Sequence, residues 1–138
     1  MKPQSPEGKF DDKTGLWELT HEFAAYLPTG MLLVLPGFES DGASIPRFLW
    51  TFVGPRYSPD TFAAAFVHDA LYASELLPRR QIDHAFRVVL RASGVSAVKS
   101  GAYWLAVRLC GKFVWKTHTL DSITAARGFV SVLYSVKS

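Results

Sequence analysis

The sequence predicts an α+β fold in which a small N-terminal antiparallel β-sheet precedes a bundle of about four helices. Segment 16–39 is rich in β-prone residues that partly alternate between apolar and polar, as half-buried strands do. From about residue 45 onward, apolar residues recur at helical spacing between breaks that contain Gly, Pro or Ser. Strands followed by helices, rather than an alternation of the two, indicate the α+β class.

The strand region follows residues 1–14, a polar segment that we interpret as a flexible N-terminal arm. Residues 15–138 are predicted to form a single α+β domain, because the whole chain has the ordinary length of one domain. A turn at residues 28–30 precedes a predicted buried strand at 31–35. One face of the first strand is predicted to carry four alternating residues: Trp17, Leu19, His21 and Phe23.

Capping residues and helix breakers predict the helices. The first is short, begins after Ser44 and ends before Gly54. Three longer helices follow: one from a cap at Ser58 or Asp60 to about Ser74, one from about Arg79 to Ala92, and one from about Ser96 to Trp115. Residues 117–138 carry weak signals, although their end, from Phe129 to Val136, is compatible with a strand.

Composition excludes several classes of protein. With 49% hydrophobic and 20% charged residues, the chain is too apolar for a disordered tail. The lone Cys110 excludes an intramolecular disulfide and a cysteine-based zinc finger. The net charge is only +3 and the 15 Lys and Arg residues are dispersed, which argues against nucleic-acid binding. Residues 1–12 lack a signal-peptide core, and three cations interrupt the most apolar stretch, 95–115, so a membrane span is not predicted.

A His-Asp pair in an apolar helix is the strongest candidate functional site. His68, Asp69 and Tyr72 lie within an arc of roughly 100° on that helix. The short link at 75–78 favours antiparallel helices, which brings Asp83 near His68. A carboxylate bonded to an imidazole orients it as a base, so His68, Asp83 and Tyr72 are catalytic candidates. A second interpretation stays open, in which these residues form a buried polar cluster that joins helix to sheet.

The loop Asp41-Gly42-Ala43-Ser44 is a second candidate region. Its small central residues leave the backbone open between two polar side chains. Asp41 is a candidate metal ligand or an acid near His68, and Ser44 a candidate nucleophile or oxyanion donor. Ordinary turn chemistry explains the same residues, with Asp41 bonding its own loop and Ser44 capping a helix.

Several segments, in this order and spacing, resemble one known family. These are Gly37-Phe38, Asp41 through Trp50, Ala65 through Tyr72, and Arg79-Arg80 with Asp83 and Phe86. Together they are similar to the phage and prophage domain-of-unknown-function family numbered 1353, over roughly residues 16–115. The resemblance implies a phage or prophage gene whose product is made in the bacterial host cytoplasm and is compatible with incorporation in a virion. It implies no reaction.

The pattern His68-Asp69-x-x-Tyr72, with Asp83 on an apposed helix, is also similar to the centre of secreted calcium-dependent phospholipases. This resemblance implies that His68 activates water, Asp69 holds calcium, Asp83 orients His68 and Tyr72 supports Asp83. The chain departs from those enzymes because it lacks their flanking cysteines and Gly-rich calcium loop, for which residues 41–44 are the upstream candidate.

A stripe of Trp and basic residues marks the last predicted helix. Trp104, Arg108, Lys112 and Trp115 fall within roughly 80° of one another. The opposite face, which includes Leu109, Phe113 and inert Cys110, is expected to pack inward. The stripe suits peripheral contact with a membrane or an anionic partner. Alternatively, its cationic stems cover aromatic surface within the bundle.

These observations lead to one functional hypothesis and two alternatives. The first is a phage-encoded, metal-assisted hydrolase that acts on lipid or cell-wall material, with calcium as the candidate divalent cation. The second is a non-enzymatic virion or tail-assembly component. The third is an effector that binds a host protein through the Trp and basic stripe. The sequence leaves the oligomeric state open.

Overall fold

The computed structural model describes residues 4–40 and 59–134, and within them the chain forms six strands and four helices. The strands are β1 (Gly8–Asp11), β2 (Leu16–Leu19), β3 (Phe23–Leu27), β4 (Gly30–Val34), β5 (Glu39–Ser40) and β6 (Val130–Tyr134). The helices are α1 (Pro59–Ser74), α2 (Arg79–Ala92), α3 (Ala97–Trp115) and α4 (Leu120–Arg127). The predicted α+β class is confirmed.

The strands form two antiparallel sheets of three strands each, ordered β1-β2-β5 and β3-β4-β6, rather than one small N-terminal sheet. Strand β6, which follows all four helices, pairs with β4. The arm predicted for residues 1–14 contains β1, whose backbone pairs with β2 while all four of its residues stay exposed. One domain over residues 15–138 stays a prediction.

The break between the two sheets corrects one predicted strand face. Trp17, Leu19 and Phe23 are buried, as the alternation predicts, but His21 is exposed. Strand β2 ends at Leu19, and the next three residues connect the two sheets. The alternation therefore does not continue through His21.

Helix α1 forms the centre of the fold because it is apolar almost all round. Its Phe66 ring makes edge-to-face contacts with Trp17, Phe23 and Phe38, with ring centroids 5.3, 5.3 and 5.8 Å apart. Trp17 belongs to one sheet and Phe23 to the other, so a single helix residue joins both sheets to the helical layer. Such offset and edge-to-face contacts add to the stabilisation from burial.

The remaining helices pack around α1: α2 and α4 against α1 itself, and α3 against α2. Helix α4, which the weak signals did not predict, begins with a capping box formed by Thr119 and Ser122. The short helix predicted after Ser44 lies outside the described residues. No helix within residues 4–40 and 59–134 has the length and apolarity that a membrane crossing requires.

Helix α3 faces the core with a different side from the one predicted. Tyr103, Val107 and Gly111 are buried, whereas Leu109 and Phe113 are exposed. The small Gly111 lies on the buried side, where an added Cβ atom would overlap the Tyr72 hydroxyl.

Candidate functional site

His68 and Tyr72 of α1 face Asp83 of α2 in the buried interior. His68 Nε2 lies 2.8 Å from Asp83 Oδ1, and the Tyr72 hydroxyl donates to the same oxygen at 3.0 Å. The side chains of His68 and Asp83 are both 0% exposed. The short link between the helices places the first turn of α2 beside the last turns of α1, which brings these three residues together.

Two arginines complete the surroundings of the carboxylate. Arg108 Nη1 donates to Asp83 Oδ2 at 2.9 Å, and Arg79 Nη1 lies 3.5 Å from the same oxygen. Arg79 also donates to the backbone carbonyls of Val107 and Arg108 at 3.1 and 3.2 Å. His68, Tyr72, Arg79, Asp83 and Arg108, here called the Asp83 cluster, therefore connect three helices.

The surroundings set the charge of Asp83. Burial by itself raises the pKa of this carboxyl, but hydrogen bonds from His68, Arg108 and Tyr72, with the nearby imidazole, lower it below its ordinary value. Burial raises the pKa of Tyr72 well above its ordinary value. At neutral pH, Asp83 is thus a carboxylate and Tyr72 a neutral phenol.

The ionised Asp83 determines the tautomer of the His68 imidazole. The carboxylate accepts from Nε2–H of His68, so in the neutral ring Nδ1 carries the lone pair. The ring is also held from its sides, because its centroid lies 4.2 Å from that of Tyr72 and 4.9 Å from that of Phe86. Orientation and tautomer are both fixed, as a general base requires.

Gly111 of α3 leaves space for two side chains of the Asp83 cluster, Tyr72 and Arg79. A Cβ atom at Gly111 would overlap the Tyr72 hydroxyl and come within 3.2 Å of Arg79 Nη1. The missing side chain therefore leaves room for the Tyr72 hydroxyl and the Arg79 guanidinium beside α3, the helix that also supplies Arg108.

A cavity of about 310 Å³ lies beside the cluster and shares Tyr72 with it. Its polar lining residues include Ser40, Asp69, Tyr72, Thr117, His118 and Ser122. Asp69 is only 9% exposed and accepts a hydrogen bond from the Ser40 hydroxyl. His118 Nδ1 lies 2.7 Å from Glu75 Oε2. The cavity thus combines a buried carboxylate with hydroxyl groups and an imidazole.

The described residues do not supply a complete metal site. Within 4–40 and 59–134, no group of three or more His, Cys, Asp or Glu side chains is placed to hold a metal ion. Calcium takes six to eight oxygen ligands, typically several of them carboxylate or carbonyl oxygens. A calcium ion at Asp69 would therefore need further ligands beyond those that the described residues supply.

Comparison with known proteins gives a family match that includes most residues of the Asp83 cluster. A family model described as "Protein of unknown function (DUF1353)" matches residues 17–107. This chain belongs to that family. The matched segment contains His68, Tyr72, Arg79 and Asp83 of the Asp83 cluster.

An uncharacterized protein, y4jT, of Sinorhizobium fredii (strain NBRC 101917 / NGR234) is 30% identical over 109 residues. The aligned region covers 77% of this chain and 32% of the relative, so the chain spans about a third of the length of the curated relative it matches. No solved structure matches the chain. The predicted membership of family DUF1353 is confirmed, whereas phage origin and a likeness to phospholipases stay predictions.

The structure brings three of the predicted catalytic residues together: His68, Tyr72 and Asp83. Asp69, the predicted metal ligand, faces the cavity instead of the cluster. Asp41 and Ser44 lie outside the described residues. The roles assigned to all of these residues stay predictions.

The Trp and basic stripe does not form a single outward surface. Arg108 bonds to Asp83, and the Trp115 ring contacts Tyr72 edge-on with centroids 5.2 Å apart. The guanidinium carbon of Arg87 lies over the Trp104 ring, 5.6 Å from the ring centroid. Lys112 is exposed.

Sequence reasoning missed the arginines of the cluster and the polar residues at the far side of the cavity. The spacing of Arg79 and Asp83, four apart on one helix, is a signal that could have suggested the ion pair. The sequence places Arg108 in the Trp and basic stripe, either at an outward surface or covering aromatic surface within the bundle, and neither interpretation predicts its bond to Asp83. His118 and Ser122 lie where the helical pattern is weak, and no local signal places them at the cavity.

Proposed function

We propose that this protein is a hydrolase whose catalytic base is His68, oriented by Asp83, and whose substrate enters the cavity beside Asp69 and Tyr72. The observation that carries the proposal is the contact of 2.8 Å between His68 Nε2 and the ionised Asp83. The residue after His68 is Asp69, whose carboxylate lines the cavity. A residue with a fixed tautomer next to a cavity is a candidate base on physical grounds.

In the proposed reaction, His68 Nδ1 takes a proton from a water molecule, whose oxygen attacks the substrate carbonyl or phosphoryl group. The negative charge of Asp83 stabilises the imidazolium that results. The imidazolium then returns the proton to the leaving group, so His68 ends as it began. Because the ring is fully buried, the proposed reaction requires neighbouring side chains to move apart when substrate binds.

The lining of the cavity supports an amphiphilic substrate. Hydroxyl groups of Ser40, Thr117 and Ser122 share the cavity with the apolar side chains of Phe38 and Val114. We propose lipid or cell-wall material as the substrate class. We further propose that a phage or prophage gene encodes the protein, that it is made in the bacterial host cytoplasm, and that it can join a virion.

A divalent cation, calcium by resemblance, is proposed as a partner of Asp69. Asp41, which the sequence places just after β5 and Ser40, is the proposed second ligand, and Ser44 a proposed donor or nucleophile. If this assignment is right, activity requires added calcium and is lost with a chelator, and Asp69→Asn weakens the calcium response. Activity that is indifferent to chelation would remove the cation from the proposal.

The test of the proposed base uses His68→Gln, with His84→Gln as its matched control because His84 is an exposed histidine on the adjacent helix. Fluorogenic phospholipid and purified peptidoglycan serve as substrates. We expect His68→Gln to lower the turnover rate by a factor of roughly 10² to 10⁴, while His84→Gln retains it. Full activity in a folded His68→Gln protein would contradict the proposal, as would a wild-type protein inactive on both substrates.

A non-enzymatic role, in a virion, in tail assembly or in binding a host protein, is the second candidate. The observation that favours it is the complete burial of His68 and Asp83, whose hydrogen bonds join three helices. Thermal melts separate the two candidates. A structural role predicts that His68→Ala unfolds the protein, whereas a catalytic role predicts a folded and inactive protein.

A further inference from the structure

Helix α3 carries an exposed apolar face along its length, which we call the apolar stripe. Val98, Leu105, Leu109 and Phe113 of this face are 83%, 51%, 61% and 63% exposed, and Ala102 lies between them and is also exposed. At about 100° per residue, these five residues fall within an arc of roughly 80°. They therefore form one continuous surface.

The apolar stripe has no counterpart on an ordinary surface helix. The opposite side of α3 is already buried through Tyr103, Val107 and Gly111, so the helix is apolar on two sides. A surface helix normally presents charged and polar residues to water on its outer face. Large exposed apolar patches on a protein mark sites of interaction.

Positive charge is concentrated around the same helix. Residues 84–120 contain six Lys and Arg residues and no Asp or Glu. Arg108 is paired with Asp83, which leaves five of these cations, whereas the whole chain has a net charge of only +3. Three exposed lysines adjoin the apolar stripe: Lys99 beyond one edge, Lys112 beyond the other, and Lys116 at its C-terminal end. The partner of this surface must therefore accept apolar side chains and supply negative charge.

We propose that the apolar stripe of α3 docks on the surface of an anionic lipid bilayer, with the helix lying parallel to the membrane plane. Leu105, Leu109 and Phe113 would enter the boundary between headgroups and acyl chains, and the lysines would meet lipid phosphates. Lys112 already extends its ammonium group over Phe113, 5.3 Å from the ring centroid, so its charge lies at the rim of the apolar surface.

A second copy of the chain fits this surface less well. In an antiparallel pair of α3 helices, Lys112 and Lys116 of one copy would approach Lys99 of the other, and no acidic residue between 84 and 120 would compensate them. Like charges held in contact oppose association. Anionic lipid headgroups remove this conflict because they supply the missing counter-charge.

This inference goes beyond the proposed hydrolase and does not depend on it, since the apolar stripe shares no residue with the Asp83 cluster. It also uses a different face from the Trp and basic stripe, in which Arg108 and Trp115 are turned toward Asp83 and Tyr72. A His68→Gln protein that has lost all activity should bind vesicles as the wild type does.

The experiment is co-sedimentation of the full chain with two kinds of vesicle, phosphatidylcholine alone and an equimolar mixture with phosphatidylglycerol. We expect binding to the mixed vesicles that weakens as salt increases, and little binding to phosphatidylcholine alone. Replacement of Lys116 by Gln is expected to weaken binding roughly fivefold, whereas Lys9→Gln, on β1, has no effect. Absence of binding to the mixed vesicles would overturn the proposal.

The apolar contribution is tested with the double variant Leu109→Ser/Phe113→Ser. Its control is Leu133→Ser, which removes a large side chain that is 52% exposed on β6. We expect the double variant to bind at least about tenfold more weakly and the control to bind normally. The proposal fails if both bind equally well. It also fails if size-exclusion chromatography shows a wild-type dimer that the double variant abolishes while vesicle binding is unchanged, because a second copy would then cover the stripe.

Discussion

Gly111 determines how closely α3 can approach the Tyr72 hydroxyl. A glycine inside a helix lowers helix stability by about 1 kcal/mol relative to alanine, so its presence calls for a physical reason. Here the reason is space, since a methyl group at this position would overlap Tyr72 and crowd Arg79. Arg108 of the same helix bonds to Asp83, so the two contacts lie on one side of α3.

Gly111→Ala should therefore lower the free energy of unfolding by roughly 1–3 kcal/mol, because overpacking outweighs the gain in helix propensity. Gly101→Ala in the same helix is the matched control, since the nearest heavy atom to its added Cβ would be Arg87 Nη2 at an ordinary 3.7 Å. The control should gain up to about 1 kcal/mol. Urea unfolding of both variants measures the difference, and equal stability would contradict the argument.

At the scale of the single residue, the contact between His68 and Asp83 could be predicted because helix periodicity and a short link are local properties. The position of Arg108 could not, since a long flexible side chain on α3 reaches Asp83 only after α3 has packed against α2. The direction of that packing depends on Tyr103, Val107 and Gly111 together, and no periodic signal separates them from the equally apolar Leu109 and Phe113.

At the scale of the element, helix α4 shows how a short helix is stabilised at one end. Thr119 Oγ1 accepts from the backbone N–H of Ser122 at 3.1 Å, and Ser122 Oγ accepts from the backbone N–H of Thr119 at 2.9 Å. These reciprocal bonds satisfy backbone donors that the first turn leaves without helical partners. The same turn brings His118 and Ser122 to the cavity.

Thr119→Ala should lower the free energy of unfolding by about 1 kcal/mol, the usual contribution of an N-cap side chain. Thr124→Ala is the matched control, since Thr124 is an exposed threonine in the body of the same helix. Thermal and urea unfolding should leave the control at or slightly above the stability of the wild type. A loss of stability shared equally by both variants would remove the cap from the explanation.

The limits of the three long helices could be predicted to within a few residues, because Pro78, Ser93-Gly94 and Ser96 are strong local breakers and caps. The division into two sheets could not be predicted. Strand β6 lies far along the chain from its partner β4, and pairing over such a distance leaves no local pattern. The amphipathic signal of α3 was also ambiguous, because both of its sides are apolar.

At the scale of the whole molecule, the Asp83 cluster links α1, α2 and α3 through one ionised carboxylate. A group whose pKa is lower in the folded state stabilises that state above its unfolded pKa, which is about 3.9 for aspartate. This stability is lost as the pH falls through the folded pKa. The carboxylate of Asp83 therefore ties the global stability of the chain to pH on the acid side.

Asp83→Asn should lower the free energy of unfolding at pH 7 by about 3–5 kcal/mol, because Arg79 and Arg108 lose the charge that compensates them. The variant should also lose less additional stability than the wild type as the pH falls below about 4. Asp12→Asn, at an exposed turn, is the control and should change stability by less than about 0.5 kcal/mol. Urea unfolding across a pH series checks both effects; parallel pH curves for Asp83→Asn and wild type would contradict this assignment.

The pairing of β4 with β6 has a consequence for synthesis on the ribosome. Met31 to Val34 emerge about 100 residues before Val130 to Leu133, their partners in the sheet. Until the later segment has been made, the edge of β4 that β6 will cover stays open, and such edges invite wrong strand partners. The sheet therefore gains its third strand only after about 100 further residues have been made, through a contact of high sequence separation that slows folding.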